Sequence, residues 1–304
     1  MGREAEVTVA YRNLDEQSFW DIWGKSLRLL LGDEHFQQLG IDVRAIIRTT
    51  WWEAKQMEER TSSTDAPVEP KKPPRVLVVI PVFNQAWCLR ETIGSLLAQT
   101  FRDFVLVMID DGSTDGSPAL IEQIAGENPQ IRIAWLQQQN AGASAARMAG
   151  IRAVPSEFIF PLDGDDQIAP TALEEYVAAL DADPGAGFAY SDIRTFGDEH
   201  FHWKSEAWSV ERIKAKNFVP IASMIRRKAY DAVGGYRPEE RMCADWGLWM
   251  SMAEHGVGGI YIPKPLFRYR RHHGQWSNGG NARDRAELTA LCRKNRPALF
   301  GGGS

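Results

Sequence analysis

The chain is short of three things, and each shortage removes a class of protein. It holds only 3 cysteines in 304 residues. Cys88, Cys243 and Cys292 are odd in number, scattered and in no metal-ligand spacing, which argues against a disulfide framework or a zinc module. All three are expected to be small buried apolar residues in a reducing compartment. No apolar run approaches the ~20 residues of a membrane helix, so a processive synthase that extrudes its own polymer is not expected. The opening residues lack the charged-then-apolar layout of a secretory signal, and Glu6 stands where a myristoylation signal requires Ser or Thr. A cytoplasmic protein is expected, at most peripheral to a membrane. Basic charge is the third shortage: the formal net charge is -5. That excludes a general nucleic-acid binder, whose phosphate-tracking surface shows as a basic excess.

What is present is a globular composition, 44% hydrophobic, with a seam. Residues 61–74 are polar and proline-rich and read as a linker, because such a stretch buries too little apolar surface to fix a fold. Before it, residues 1–60 carry two helical stripes, Phe19, Ile22, Trp23, Leu27 and Leu30, then Val43, Ile46, Ile47, Trp51 and Ala54. The favoured expectation is a helical hairpin docked on its own chain; a second copy or a protein partner are the other occupants of its apolar faces. The closing residues 301–304, GGGS, read as a flexible tail.

From residue 75 the pattern changes. Val76 to Ile80 is a continuous apolar run, as in a strand buried on both faces of a parallel sheet. Leu89, Ile93, Leu96 and Leu97 form a helical stripe. A strand at Val105 to Ile109, a helix from about Ser117 to Ala125, a strand at Ile131 to Leu136, a helix at Ala143 to Ala153 and a strand at Glu157 to Leu162 follow. This alternation predicts an α/β fold, Rossmann-like, with a mostly parallel central sheet flanked by helices, and a site at the carboxyl ends of the strands.

The strand ends hold the chemistry. Pro81 lacks a donor and is expected to turn the first strand out into a loop where Asn84 meets a flat base. The second strand ends in Asp110 and Asp111, and Asp111 can accept from an imide N–H or a ribose hydroxyl. Asp115 and Ser117 are expected to be turn and cap residues only. Gly142 opens a helix whose N–H groups can approach ribose or phosphate, although small residues there also serve close packing. The fourth strand ends in Asp163, Asp165 and Asp166, three carboxylates that repel one another unless a cation sits among them. Asp side chains spaced i, i+2 suit a hard divalent ion that holds a diphosphate, but the string taken alone reads equally as a hydrogen-bonded turn.

Together these strings closely resemble the inverting glycosyltransferases of family 2, which have the GT-A fold, over roughly residues 75–273. The resemblance implies a nucleotide-binding half, 75–166, and an acceptor half, 167–300. It implies that Phe83, Asn84 and Asp111 hold the nucleotide, commonly UDP, with Pro81, Gly142, Arg147 and Asp163 around it. It makes Asp163 and Asp165 the DxD acids that bind Mn²⁺ or Mg²⁺, with Asp165 the direct ligand and Asp166 orienting the sugar or the turn. Asp245 matches the general base, although Ala244 stands where the family often has an acid. The Arg-His loop implies diphosphate contacts from Arg270, Arg271 and His273, with His272 completing the metal shell.

On the acceptor side, the segments Phe201 to Trp208 and Val233 to Glu239 are expected to line the site. Trp203, Trp208, Trp246 and Trp249 are candidates to stack on sugar, with Trp249 expected in the core instead. The implied reaction is metal-dependent transfer, with inversion, from a UDP-sugar to a hydroxyl of a glycan, a lipid-linked sugar or a protein. A nucleotidyltransferase would want a Gly-rich loop with Arg or Lys after the first strand, and IPVFNQAWCLR has none. A glycosidase would leave the nucleotide-type strand ends without purpose. A non-catalytic scaffold binding partners through residues 1–60 is opposed by the presence of both metal acids and the base.

Overall fold

The computed structural model describes residues 73–240, 243–273 and 282–301. The expected helices of residues 1–60, and all but the last two residues of the linker, lie outside the described residues.

The strands β1 (Val76–Val82) and β2 (Phe104–Asp110) are buried along their whole length, because helices cover the sheet on both faces. Alternation then decides which side chain goes where. Val76, Val78 and Ile80 of β1 pack with Leu106 and Met108 of β2 under three helices, α1 (Leu89–Leu97), α2 (Ser117–Glu127) and α4 (Ala172–Ala182). Leu77, Val79, Val107 and Ile109 face the other way, against α3 (Ala143–Ala153) and the later helix α7 (Ala244–Glu254). Gly150 lets α3 lie flat on the sheet: a Cβ there would stand 2.6 Å from both Ile109 Cδ1 and Val79 Cγ2.

Strand order divides the sheet into two regimes. With β3 (Arg132–Gln137) and β4 (Phe158–Pro161), the order β3-β2-β1-β4 is parallel throughout, as the alternation requires. Beyond β4 the order continues through β8 (Met224–Arg226), β6 (Phe188–Gly197), β9 (Gly259–Arg271) and β5 (Gln167–Ile168). There β4–β8, β6–β8 and β5–β9 are antiparallel, while β6 and β9 run parallel. The short β7 (His202–Trp203) folds back on β6 as a hairpin. Two short helices, α5 (Val210–Ala215) and α6 (Arg227–Ala232), flank β8, and α8 (Ala282–Lys294) follows β9.

Pro81 corrects one expectation. It does not end β1, which continues through it to Val82. Val79 accepts from Leu162 N and Val82 from Asp111 N, so the odd-numbered residues face β4 and the even-numbered ones β2. The pairing with β4 stops at Val79. Pro81 therefore points its missing donor where no ladder partner remains.

Candidate active site

The acidic turn after β4 is held from three sides. The Gly164 carbonyl accepts from Thr92 Oγ1 at 2.8 Å and from Cys88 Sγ at 3.5 Å, which ties the turn to α1. Asp166 is fully buried; its Oδ1 accepts from the Arg270 backbone N–H at 2.8 Å, while Oδ2 has no hydrogen-bond partner. Burial, then the charges of Asp165 and Asp163, push the Asp166 carboxyl well above the usual carboxylate range. Of the two roles expected for Asp166, this geometry supports orienting the turn. Arg270, buried, donates from Nε to the Asp165 carbonyl at 2.7 Å and from Nη2 to Glu91 at 2.7 Å. Its guanidinium also lies over the rings of Phe196 and Trp87.

Two of the expected metal ligands come together: His272 Nε2 lies 3.1 Å from Asp165 Oδ2. Burial, then the neighbouring Asp163, raise the Asp165 carboxyl. A carboxylate oxygen beside an imidazole nitrogen suits Mn²⁺, and the like-charge crowding of the turn is relieved by any divalent ion. Among the described residues, no three His, Cys, Asp or Glu side chains are already arranged as a metal site. Asp165 and His272 are the two side chains placed to hold such an ion. Asp163 stands apart, since its Oδ1 pairs with Arg147, a buried side chain of α3. Trp87, 57% exposed, meets His272 edge-on with centroids 5.1 Å apart.

At the β2 end, Asp111 is buried and both of its oxygens serve the chain. Oδ1 accepts from Gln138 Nε2 at 2.7 Å and Ala141 N at 2.9 Å, and Oδ2 from Gly142 N at 2.8 Å. The residue expected to read the base is thus also what shapes the loop opening α3, with Gly142 at φ +91°. Asn84, the one described non-glycine residue at positive φ, takes Thr114 N on its Oδ1 at 2.8 Å and donates its own N–H to Ser113 Oγ. Asp115 accepts from Ala86 N and Ser117 N, and Ser117 Oγ from Gln85 N, so both act as the turn residues expected. Phe83 remains 48% exposed beside them.

Asp245 lies in the first turn of α7, whose cap is Cys243. The half-buried carboxylate accepts from Asn217 Nδ2 at 2.8 Å and from its neighbour Trp246 N at 2.8 Å. Burial raises its carboxyl above the usual range, against those two bonds and the Arg147 charge. Tyr236 joins this neighbourhood: Arg147 lies over its ring at 5.9 Å, and its buried hydroxyl has no hydrogen-bond partner. Arg147 thus pairs with the acidic turn while its charge also acts on the candidate base.

Elsewhere the placements depart from expectation. Arg271 pairs with Glu199 of the hairpin turn at 3.1 Å, and His273 is exposed beyond it. Arg270 is held by Glu91 and the Asp165 carbonyl, and Arg271 by Glu199. Trp249 is in the core, stacked on Phe188 at 4.7 Å. Trp208 packs edge-on against the same ring, and Trp246 donates its indole N–H to the Ile213 carbonyl at 2.6 Å. Trp203 is 50% exposed, next to Phe201 at 46%. Tyr236 lies in the segment Val233 to Glu239 expected on the acceptor side, whereas nothing in the sequence singled out Glu91, Trp87 or Asn217. Only Trp87, an aromatic just after a strand end, carried a signal that could have found it.

The fold is the mixed α/β GT-A fold. The sequence profile described as Glycosyl transferase family 2 matches residues 77–241, and the chain belongs to that family. Among curated relatives, an uncharacterized protein of Mycobacterium tuberculosis is 31% identical over 208 residues, 64% of this chain. The match covers 58% of that relative's own length. The glycosyltransferase GlyG of Streptococcus pneumoniae is 29% identical over 51% of this chain and 50% of its own. Among solved structures, S. aureus TarS 1-349 in complex with UDP-GlcNAc superposes with TM-score 0.62 at 18% identity, over 72% of this chain and 66% of that one. The mannosyltransferase PcManGT from Pyrobaculum calidifontis, in complex with GDP-Man and Mn²⁺, gives 0.56 at 17% identity over 86% and 83%. No helix among the described residues is long and apolar enough to cross a membrane.

Proposed function

We propose that this chain is a metal-dependent glycosyltransferase that moves a sugar from a nucleotide-sugar, a UDP-sugar by the family resemblance, to a hydroxyl of a glycan, lipid-linked or protein acceptor, with inversion. The observation that carries it is the meeting of Asp165 with His272 beside the acidic turn, with Arg147 paired to that turn while its charge also acts on Asp245. Structural neighbours in complex with UDP-GlcNAc, and with GDP-Man and Mn²⁺, support the donor class and the metal.

In this reading Asp165 and His272 would hold Mn²⁺ or Mg²⁺, which when bound neutralises the charge that builds on the departing diphosphate. The loops at Asn84 and Asp111 receive the nucleotide, with Phe83 against the base and Gly142 near ribose. Asp163, braced by Arg147, completes the donor side. Asp245 takes the proton of the acceptor hydroxyl as the new bond forms at C1 and the old C1–O bond to phosphate breaks. Burial makes that carboxylate a stronger base than an exposed one, and general-base help is worth roughly 10²–10⁴ in rate. Trp203 and the face of Trp246 bound the acceptor side. The location that fits is the cytoplasm or its membrane surface.

Thermal melting with UDP, with and without Mn²⁺, tests the donor site. A metal-dependent rise in Tm is expected, and no shift with Mn²⁺ present refutes it. Transfer from a panel of nucleotide-sugars then names the donor.

A further inference from the structure

The sulfurs of Cys243 and Cys292 lie 2.7 Å apart across 49 residues of sequence, both buried and both thiols. Neither belongs to the transfer chemistry. Cys243 caps α7 two residues before Asp245, and Cys292 sits near the end of α8.

A buried network fixes the two helix ends against each other. Arg296 pairs with Glu240 at 2.6 Å and donates to Ser251 Oγ of α7 at 2.9 Å and to the Cys292 carbonyl at 3.0 Å. Asn295 adds a bond to Glu240 at 2.9 Å, and Gly247 leaves the room that the Glu240 carboxylate occupies. Separating the sulfurs therefore means disturbing a buried ion pair. Two thiols held this way have a high effective concentration for each other, and joining them asks for little backbone movement.

We propose that Cys243 and Cys292 are a redox-responsive pair, forming a disulfide that fastens the C-terminal helix to the cap of the helix carrying Asp245. The oxidant is a low-molecular-weight disulfide. One thiolate attacks it and expels a small thiol; the second protein thiolate attacks the mixed disulfide and expels the other. One S–S bond forms and one breaks, and two electrons and two protons end on the two small thiols. Hydrogen bonding to Cys243, then burial, hold the Cys292 thiol far above its ordinary range. Exchange in the closed fold is therefore slow and proceeds during folding or local opening. In a reducing compartment the pair stays as thiols. Cys88 is the internal control: its Sγ lies against the carbonyls of Gln85 and Gly164, and burial first pushes its thiol up to about 12.

The test refolds the full chain in oxidised or reduced glutathione, alkylates remaining thiols under denaturing conditions, and maps peptides without reduction. In the oxidised arm a single Cys243–Cys292 cross-linked peptide, a mass lighter by two hydrogen atoms, alkylated Cys88 and a Tm higher by about 5 °C are expected. Cys243→Ser keeps a favoured cap residue, so it folds, and it should show neither cross-link nor Tm difference between arms. Three alkylated cysteines in the oxidised arm, or a bridge to Cys88, overturns the proposal. Protein that does not refold is oxidised as purified in sub-denaturing urea and read in the same way.

Discussion

The two halves of this domain build their parts of the site by different routes. In the parallel half, each strand end delivers consecutive residues to one place: Asn84 after β1, Asp110 and Asp111 after β2, Gly142 after β3 and the acidic turn after β4. Hydrogen bonds between adjacent loops, such as Asn84 to Thr114 or Asp111 to Gly142, then lock them. In the mixed half the parts come from far apart in sequence. Asp245 is held by Asn217, 28 residues earlier, and Arg270 by Glu91, 179 residues earlier. A site built from short strand-end strings can be read as motifs; one built from distant pairs cannot.

If the halves are separable in this way, breaking one should spare the other. Asp245→Asn should lower transfer by about 10²–10⁴ while UDP still raises Tm with Mn²⁺. Loss of UDP binding together with transfer would merge the two halves into one unit.

The converse change is Asp165→Ala, or chelation of the metal in the parent protein. Either should abolish the Mn²⁺-dependent part of the UDP-induced Tm shift and leave the apo protein folded. An unchanged shift would remove Asp165 from the metal site.

Asn217→Ala sharpens the comparison within the acceptor half. Burial already places the Asp245 carboxyl above its ordinary range, and Asn217 pulls it back down. A base works above its pKa and is lost as pH falls through it. Removing the Asn217 donor should therefore move the acid limb of the kcat profile to higher pH, lowering kcat along that limb by roughly tenfold, the worth of one hydrogen bond to a charged group. An unmoved limb would show that Asn217 does not act on the base.

The smallest effect is on stability. Asp166 is raised in the folded state, so its contribution is present below the unfolded carboxylate pKa and is lost as pH rises toward the folded one. At neutral pH its burial is a cost, and Asp166→Asn should raise the Tm of metal-free protein by about 2–4 °C, the shift that ~1 kcal/mol produces in a domain of this size. The gain should fade on acidification; a Tm gain that is constant with pH would refute the electrostatic reason.

Much of the parallel half was legible because burial on both faces leaves continuous apolar runs, as in Val76 to Ile80, and because turn chemistry marks their ends. Boundaries moved by a few residues: β2 begins at Phe104 and α2 runs to Glu127. Pro81 misled because the rule that proline leaves a sheet holds only where its missing donor faces a partner. The Arg-His loop was legible only in part. Local charge excess identified a loop of consequence but not what the arginines hold, and Glu91 and Glu199 had no motif to announce them.

The sequence by itself determined the α/β class, the family and the acids that converge at the strand ends. Periodicity and turn residues are local properties, and a parallel sheet carries each strand end to the same edge. Only the tertiary structure decided that Asp163 answers to Arg147, that Arg270 clasps the acidic turn, and that Cys243 meets Cys292. The clasp of Arg270 depends on the order β4-β8-β6-β9-β5, which lays the end of β9 beside the strand that follows the acidic turn. Distance along a sequence says nothing of distance across a sheet until that order is known.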